Sequence, residues 1–312
     1  MKAVIEMGII EEFYSKYDED KRLNSKNHLP EYLITMKYIE KYLFPGAKIA
    51  EIGAGTGRYS VALAEKGYAD YRVSVTAKGG HSSQPPVHTA IGELAEVIRD
   101  IEGHQFKGKM PDFVYALFTK IGKNVSYPAR IVTCNLWLLK PLVTFVMKKI
   151  PPAASLIRTT TGVTMAEGSP AANVLPQKAS ITINFRMMPG VTIADVEDHI
   201  RKSVRNKNIE IEFLKGKEAS KVSPTDSRSF RILEELCTRT DPDMIVAPYL
   251  VMGGTDAYHY EEVCDNIYRF APFVMDTKLL LTMHGTNERI PIDCMGDALK
   301  FFKRYIRMMS AE

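Results

Sequence analysis

Cysteine is sparse in this chain and never paired at short spacing. Cys134, Cys237, Cys264 and Cys294 are scattered with no C-x-x-C between them. That excludes a disulfide scaffold and makes reduced thiols in a cytoplasm the expectation. A charge excess is missing too, since 41 Lys and Arg against 37 Asp and Glu leave only +4. Nucleic-acid binding would want base clustered on one face, so no nucleic-acid partner is expected. Long apolar runs are absent as well. Glu6, Glu11 and Glu12 interrupt the opening residues, which removes the unbroken stretch a secretory leader needs. The greasiest region, Asn135 to Ile157, is cut by Lys140-Pro141, Lys148-Lys149 and Pro151-Pro152. A bilayer span needs about 20 mostly apolar residues, so this region reads as a packed or interfacial helix pair and no membrane partner is expected. What remains is ordinary globular composition, 45% apolar and 25% charged over 312 residues, enough for one large domain or two modest ones.

Periodicity gives the elements. Apolar residues at helical spacing run through residues 9–43, and Pro45-Gly46 stops them. A short strand at Ala47–Ile52 leads into Gly53-Ala-Gly55-Thr-Gly57, and Tyr59–Lys66 reads as a helix closed by Gly67. Tyr71–Ala77 alternates at period two and reads as a half-buried strand. Ala90–Ile101 is helical, Ile157–Ala166 and Ala179–Met187 are strands, Val191–Val204 is an amphipathic helix, and Ile209–Phe213 alternates again. Without the irregular stretch 103–156 this is β-α-β-β-α-β, the order of a split βαβ sandwich. Gly216–Asp226 resembles a linker. A helix (Ser227–Thr238), a strand (Ile245–Val251), a turn at Gly253-Gly254-Thr255-Asp256, a strand (Ile267–Phe273) and a helix (Asp293–Met309) follow. The fold class expected is α/β with an α+β lid.

Two groups of residues suggest chemistry. Glu51-x-Gly53-x-Gly55-x-Gly57 sits where a strand is expected to turn into a helix, a place where glycine lets backbone amides approach a ligand. With its flanks Lys48–Ser60, it resembles motif I of the class I S-adenosylmethionine-dependent methyltransferases. The resemblance implies that Glu51, Gly53, Gly55 and Gly57 line a pocket for S-adenosylmethionine. The carboxylate expected about 20 residues later, at the end of the second strand, is absent: that count lands on Ala77-Lys78-Gly79-Gly80.

The rest of the chain carries Gly79-Gly80-His81-Ser82-Ser83-x-Pro85-Pro86, Asn173-Val-Leu-Pro176 and Ile183-Asn184-Phe185-Arg186-Met-Met-Pro189-Gly190. Gly253-Gly254-Thr255-Asp256 and His284-Gly285-Thr286-Asn287-Glu288 follow. In this order they resemble the zinc metallopeptidase and aminoacylase family that includes carboxypeptidase S, especially its N-acyl-amino-acid hydrolase branch. The resemblance implies a lid or dimerisation domain over 71–222 and the C-terminal part of a catalytic domain over 226–312. It also implies a homodimer acting on a small peptide or N-acyl amino acid. By position, His81 would steady an oxyanion in the neighbouring subunit's site, Asn173 and Arg186 would hold the substrate carboxylate, Gly254 and Thr255 would shape the pocket, and His284 would bind zinc. Glu261-Glu262, expected on a helix, reads as a solvated pair.

The same family draws most of its metal ligands from a segment before the lid that opens with His-x-Asp. No His-x-Asp occurs anywhere in this chain, and residues 1–70 resemble the methyltransferase segment instead. The expectation is therefore a joined chain with its junction near 68–71, lacking turnover by itself. Three readings stay open: an amidohydrolase, a truncated methyltransferase, and a non-catalytic dimerisation module built on the lid.

Overall fold

The computed structural model describes residues 49–52, 60–240, 244–273, 282 and 287–311. The chain divides into two compact units. One comprises 61–223 with 247–258; the other comprises 1–60, 224–246 and 259–312.

In chain order the elements begin with β1 (Ile49–Ile52), β2 (Ser60–Glu65), β3 (Gly67–Thr76), β4 (Gly80–His81) and α1 (Ala90–Gly103). Next come α2 (Asp112–Ile121), α3 (Tyr127–Cys134), α4 (Leu136–Met147), α5 (Pro151–Ser155), β5 (Thr160–Glu167) and β6 (Val174–Leu175). The series ends with β7 (Lys178–Met187), α6 (Ile193–Ser203), β8 (Ile209–Lys217), α7 (Arg228–Thr240), β9 (Ala247–Val251), β10 (Ile267–Phe270) and α8 (Ile292–Ser310).

The larger unit is built on an antiparallel sheet in the order β5-β7-β3-β8, the expected split βαβ sandwich. Alternation along β3 and β7 sends Tyr71, Val73, Val75, Ile181, Ile183 and Phe185 to one face. There Val97 and Ile101 of α1 and Val196 and Ile200 of α6 cover them. The other face carries polar groups, among them Asp70, Arg72 and Asn184, with Asn184 Nδ2 donating to Asp70 Oδ1 at 2.5 Å. Local signals fix the two covering helices. Thr89 caps α1 by accepting from the Gly92 amide. Thr192 and Asp195 form a reciprocal capping box on α6, which satisfies two of the amides a helix start leaves open. Gly67 is required by close approach, because a Cβ there would lie 2.4 Å from the Ala219 amide nitrogen.

One expectation is corrected first. Tyr59–Lys66 is not a helix: residues 60–65 form strand β2, which neighbours β9, and the Lys66 amide donates to Val251 O at 3.0 Å. Val61, Ala62, Leu63 and Ala64 are all buried; such a short, uniformly apolar run fits a strand covered on both faces as well as a helix. The strand–glycine turn–helix order of a cofactor cradle is thus not formed. The junction expected near 68–71 falls inside β3, which runs unbroken from Gly67.

In the smaller unit β1 pairs in parallel with β10, Ile49 opposite Ile267 and Ile52 opposite Phe270. All four β10 residues are buried, as parallel strands require. The rings of Phe230 on α7 and Phe301 on α8 pack at a tilt against Tyr268 and Phe270. Glu261 is a second correction: it lies in a turn rather than a helix. It is only partly exposed, 3.9 Å from the buried Arg269 guanidinium, so it is not a freely solvated carboxylate.

Candidate functional site

The residues singled out by sequence fall at the two ends of the β3–β7 pair. Beyond Thr76 and Lys178 the two strands continue into a small ribbon, β4 against β6, with His81 opposite Val174 and Gly80 opposite Leu175. The ribbon brings His81 and Asn173 together: the Ser82 amide donates to Asn173 O at 3.1 Å. Gly79 makes the crossing possible, since a Cβ there would stand 2.5 Å from Gln177 Cγ and 3.0 Å from Leu175 O.

His81 is exposed, and its Nδ1 accepts from the Ser83 amide at 3.2 Å with the Ser83 hydroxyl 2.9 Å away. An imidazole whose Nδ1 accepts carries its neutral-state proton on Nε2. The ring therefore offers an Nε2–H donor, the group that stabilises a developing oxyanion. Beside the ribbon lies a cleft of about 350 Å³ lined by Thr89, Ile91, Ser169, Val174, Leu175 and Pro176. It is mostly apolar, and its Thr89 hydroxyl is already committed to the α1 cap.

Arg186 lies at the opposite end. It pairs with Tyr68 across β3–β7, and its guanidinium sits 5.9 Å from the centre of the Tyr68 ring. Eight residue steps of strand separate Arg186 from Lys178, where the ribbon begins; at ~3.4 Å per step this is about 27 Å. The structure therefore does not bring Asn173 and Arg186 of one subunit onto a common carboxylate. If the two residues hold one carboxylate, the length of β7 requires that they come from different subunits.

Arg186 has neighbours that the sequence reading passed over. Lys66 is buried, and its ammonium donates to Arg158 O at 3.1 Å and to Arg186 O at 3.5 Å. Burial, reinforced by the nearby Arg186 charge, lowers its pKa from 10.5 to about 8. Next to it Glu65 is fully buried. Its carboxylate accepts from Lys217 Nζ at 2.8 Å, from the Thr255 amide at 2.8 Å and from the Thr255 hydroxyl at 2.5 Å. Thr255 is thus held rigidly at the Arg186 end, while Gly254 beside it is exposed. Lys217 in turn lies 3.5 Å from the Tyr258 ring centre. The signal available in sequence was a charged pair, Glu65-Lys66, closing an apolar run.

Of the remaining residues, Glu51 lies on β1, and its side chain is not described. Gly53, Gly55, Gly57 and His284 lie outside the described residues. Among the described residues no three His, Cys, Asp or Glu side chains converge where a metal ion would fit. Catalytic zinc takes about three protein ligands, so the described residues do not fit one.

Comparison with known proteins bears on the family and the fold. Residues 63–212 match the peptidase dimerisation domain family. Probable carboxypeptidase S-like 2 of Dictyostelium discoideum is 35% identical over 249 residues, covering 80% of this chain and 48% of that protein. The N-fatty-acyl-amino acid synthase/hydrolase PM20D1 of Xenopus tropicalis is 30% identical, covering 79% and 49%. Carboxypeptidase S of Saccharomyces cerevisiae is 28% identical, covering 78% and 49%. The chain thus spans about half the length of these relatives. Among solved structures, the M20 family metallo-carboxypeptidase Sso-CP2 from Sulfolobus solfataricus superposes with a TM-score of 0.54 at 18% identity, covering 88% of this chain and 66% of that one. A Staphylococcus aureus tripeptidase gives 0.53 at 13%, covering 83% and 56%. These two likenesses concern the fold. None of these matches supports a methyltransferase segment.

Proposed function

We propose that this chain, whose matches support the M20 metallopeptidase family, supplies the lid and substrate-clamping part of a zinc-dependent amidohydrolase. The bonds cleaved are peptide or N-acyl-amino-acid amides in substrates bearing a free carboxylate. The observation that carries this reading is the separation of the His81–Asn173 ribbon from Arg186 and Thr255 by a strand length of about 27 Å. No small substrate spans that distance within one subunit. A homodimer resolves it: the His81 Nε2–H of one subunit serves the oxyanion in its partner's site, where an Arg186 fork and a rigid Thr255 hold the carboxylate end.

The metal would activate water and polarise the carbonyl when bound. Its ligands in this family precede the lid, and the chain contains no His-x-Asp. We therefore expect the homodimer of this chain to be without turnover; hydrolysis would come from the same lid pairing formed with an intact relative. The test is complementation. A full-length carboxypeptidase S-type relative stripped of its own lid histidine is mixed with this chain, with zinc and an N-acyl amino acid. Recovered hydrolysis with the wild-type chain, and none with His81→Ala, supports the reading. Zinc-dependent turnover by the purified chain alone refutes the expected incompleteness, and a strictly monomeric chain that restores nothing refutes the proposal.

A further inference from the structure

Between α1 and β5 the lid carries an insertion, α2 to α5, that the proposed chemistry does not use. Helix α4 is apolar on both sides. Leu136 and Met147 are buried and anchor it, yet the opposite stripe, Trp137, Leu138, Leu142, Phe145 and Val146, is exposed, Trp137 by 70% and Phe145 by 60%. Tyr127 and Ile131 on α3 extend the same kind of surface. A soluble helix ordinarily turns polar residues outward, and contiguous exposed apolar surface of this kind marks an interaction site.

The charge around it is one-sided. From residue 113 to 166 there is no Asp or Glu, while Lys120, Lys123, Arg130, Lys140, Lys148, Lys149 and Arg158 all fall in that span. Arg130, Lys148 and Lys149 are exposed, and Lys149 Nζ lies 5.7 Å from the Phe145 ring centre. An apolar stripe with a tryptophan, flanked along the sequence by cations and no acids, is the composition of a helix lying in the plane of a membrane surface.

We infer that the α3–α4 insertion docks peripherally on an anionic phospholipid surface, burying the Trp137–Phe145 stripe among the acyl chains while its cations meet lipid phosphates. The reading does not depend on the proposed hydrolase activity. Helix α4 alone is too short to span: its 12 residues give about 18 Å of helix against a hydrocarbon core of about 30 Å. Although α3 and α4 together reach the length and apolarity of a span, the sharp bend between them suits a surface-lying pair better than a straight crossing. Among the described residues no single helix is long and apolar enough to cross, and α3 and α4 are bent by 110°. A second copy of the chain is the weaker occupant. A two-fold contact apposes identical patches, which here would set the exposed cations Arg130, Lys148 and Lys149 against their own copies. Nucleic acid would demand cations on the face itself rather than leucine and phenylalanine.

The test uses the chain's own reporter, since Trp137 is its only tryptophan. Vesicles of phosphatidylcholine with equimolar phosphatidylserine are expected to shift its emission to the blue and to sediment the protein. Pure phosphatidylcholine should do so much less, and added salt should weaken the effect. The double variant Leu142→Glu/Phe145→Glu should lose at least about tenfold in binding with an unchanged far-ultraviolet spectrum. Should that variant misfold, Lys148→Gln/Lys149→Gln leaves the apolar stripe intact and should weaken binding to anionic vesicles alone. No spectral shift with anionic vesicles overturns the inference. So does a blue shift that follows protein concentration without vesicles, which would give the patch to a second copy.

Discussion

Lys66 allows the sharpest quantitative test of the packing. Its ammonium is buried against two carbonyl oxygens, those of Arg158 and Arg186, with no carboxylate among these partners. Burial first, and the Arg186 charge second, bring its pKa from 10.5 to about 8. In the unfolded chain the amine regains its ordinary value. Between about pH 8 and 10.5 the unfolded state therefore binds more protons than the folded one, so stability from this residue rises with pH across that window. Below pH 8 both states are protonated and the folded state carries the whole burial cost. The gap between 10.5 and about 8 corresponds to roughly 3 kcal/mol at about 1.4 kcal/mol per pH unit.

Other buried groups run the opposite way. Tyr71 and Cys237 are each pushed up to about 12, chiefly by burial, so their ionisation in the unfolded chain erodes stability as pH rises. The measurement must therefore be a difference. Urea denaturation of wild type and Lys66→Met at pH 7, 8, 9 and 10 is expected to show the variant's relative advantage shrinking by about 2 kcal/mol from bottom to top of the series. A difference independent of pH between 7 and 10 would show that the amine is either solvated or paired, and would refute the argument.

Further expectations follow from the same end of the sheet and from its edges. Glu65→Leu strips the buried carboxylate from Lys217 and Thr255 and should cost about 3 kcal/mol in denaturant titration; Lys217→Met, which leaves the carboxylate buried with one partner fewer, should also destabilise. Gly67→Ala places a methyl against the Ala219 amide, 2.4 Å away, and should lower the melting temperature by several degrees through overpacking. Thr192→Ala removes one half of the α6 capping box and should cost about 1 kcal/mol. His81→Ala, at an exposed position on the ribbon, should leave the melting temperature within about a degree of wild type, which separates its proposed role from any structural one.

The β-α-β-β-α-β core was legible because its signals are local and doubled. Tyr71, Val73 and Val75 alternate, α1 and α6 carry their caps, and the covering residues repeat at helical spacing. Val61–Ala64 offered no such redundancy. Four small apolar residues in a row have neither a period of two nor one of 3.6, and their state is set by β9, which lies far along the chain. Once that run is mistaken for a helix, the chemistry at its end is lost with it. Glu65 and Lys66 then read only as the last turn of a helix instead of two buried charges holding Thr255 and touching Arg186. The motifs themselves named His81, Asn173, Arg186 and Thr255, but a motif carries no distances, so the strand length that separates Asn173 from Arg186 within one subunit was not legible in them.

β7 itself links the fold to the proposed function. Its ten residues run from Lys178 at the ribbon end to Met187, next to Arg186, and β3 matches it residue for residue from Thr76 back to Gly67. An antiparallel pair in unbroken register cannot be shortened by side-chain motion, and folding the ribbon back would require breaking the hydrogen bonds from Ser82 to Asn173 and from Ala77 to Gln177. The separation of about 27 Å is therefore a property of the backbone. Any chemistry that needs His81 and Arg186 on one small molecule must take them from different subunits. If instead crosslinking captured His81 and Arg186 of a single subunit on one short bifunctional substrate analogue, the sheet would have to be broken in the active state, and the dimer argument would fall with it.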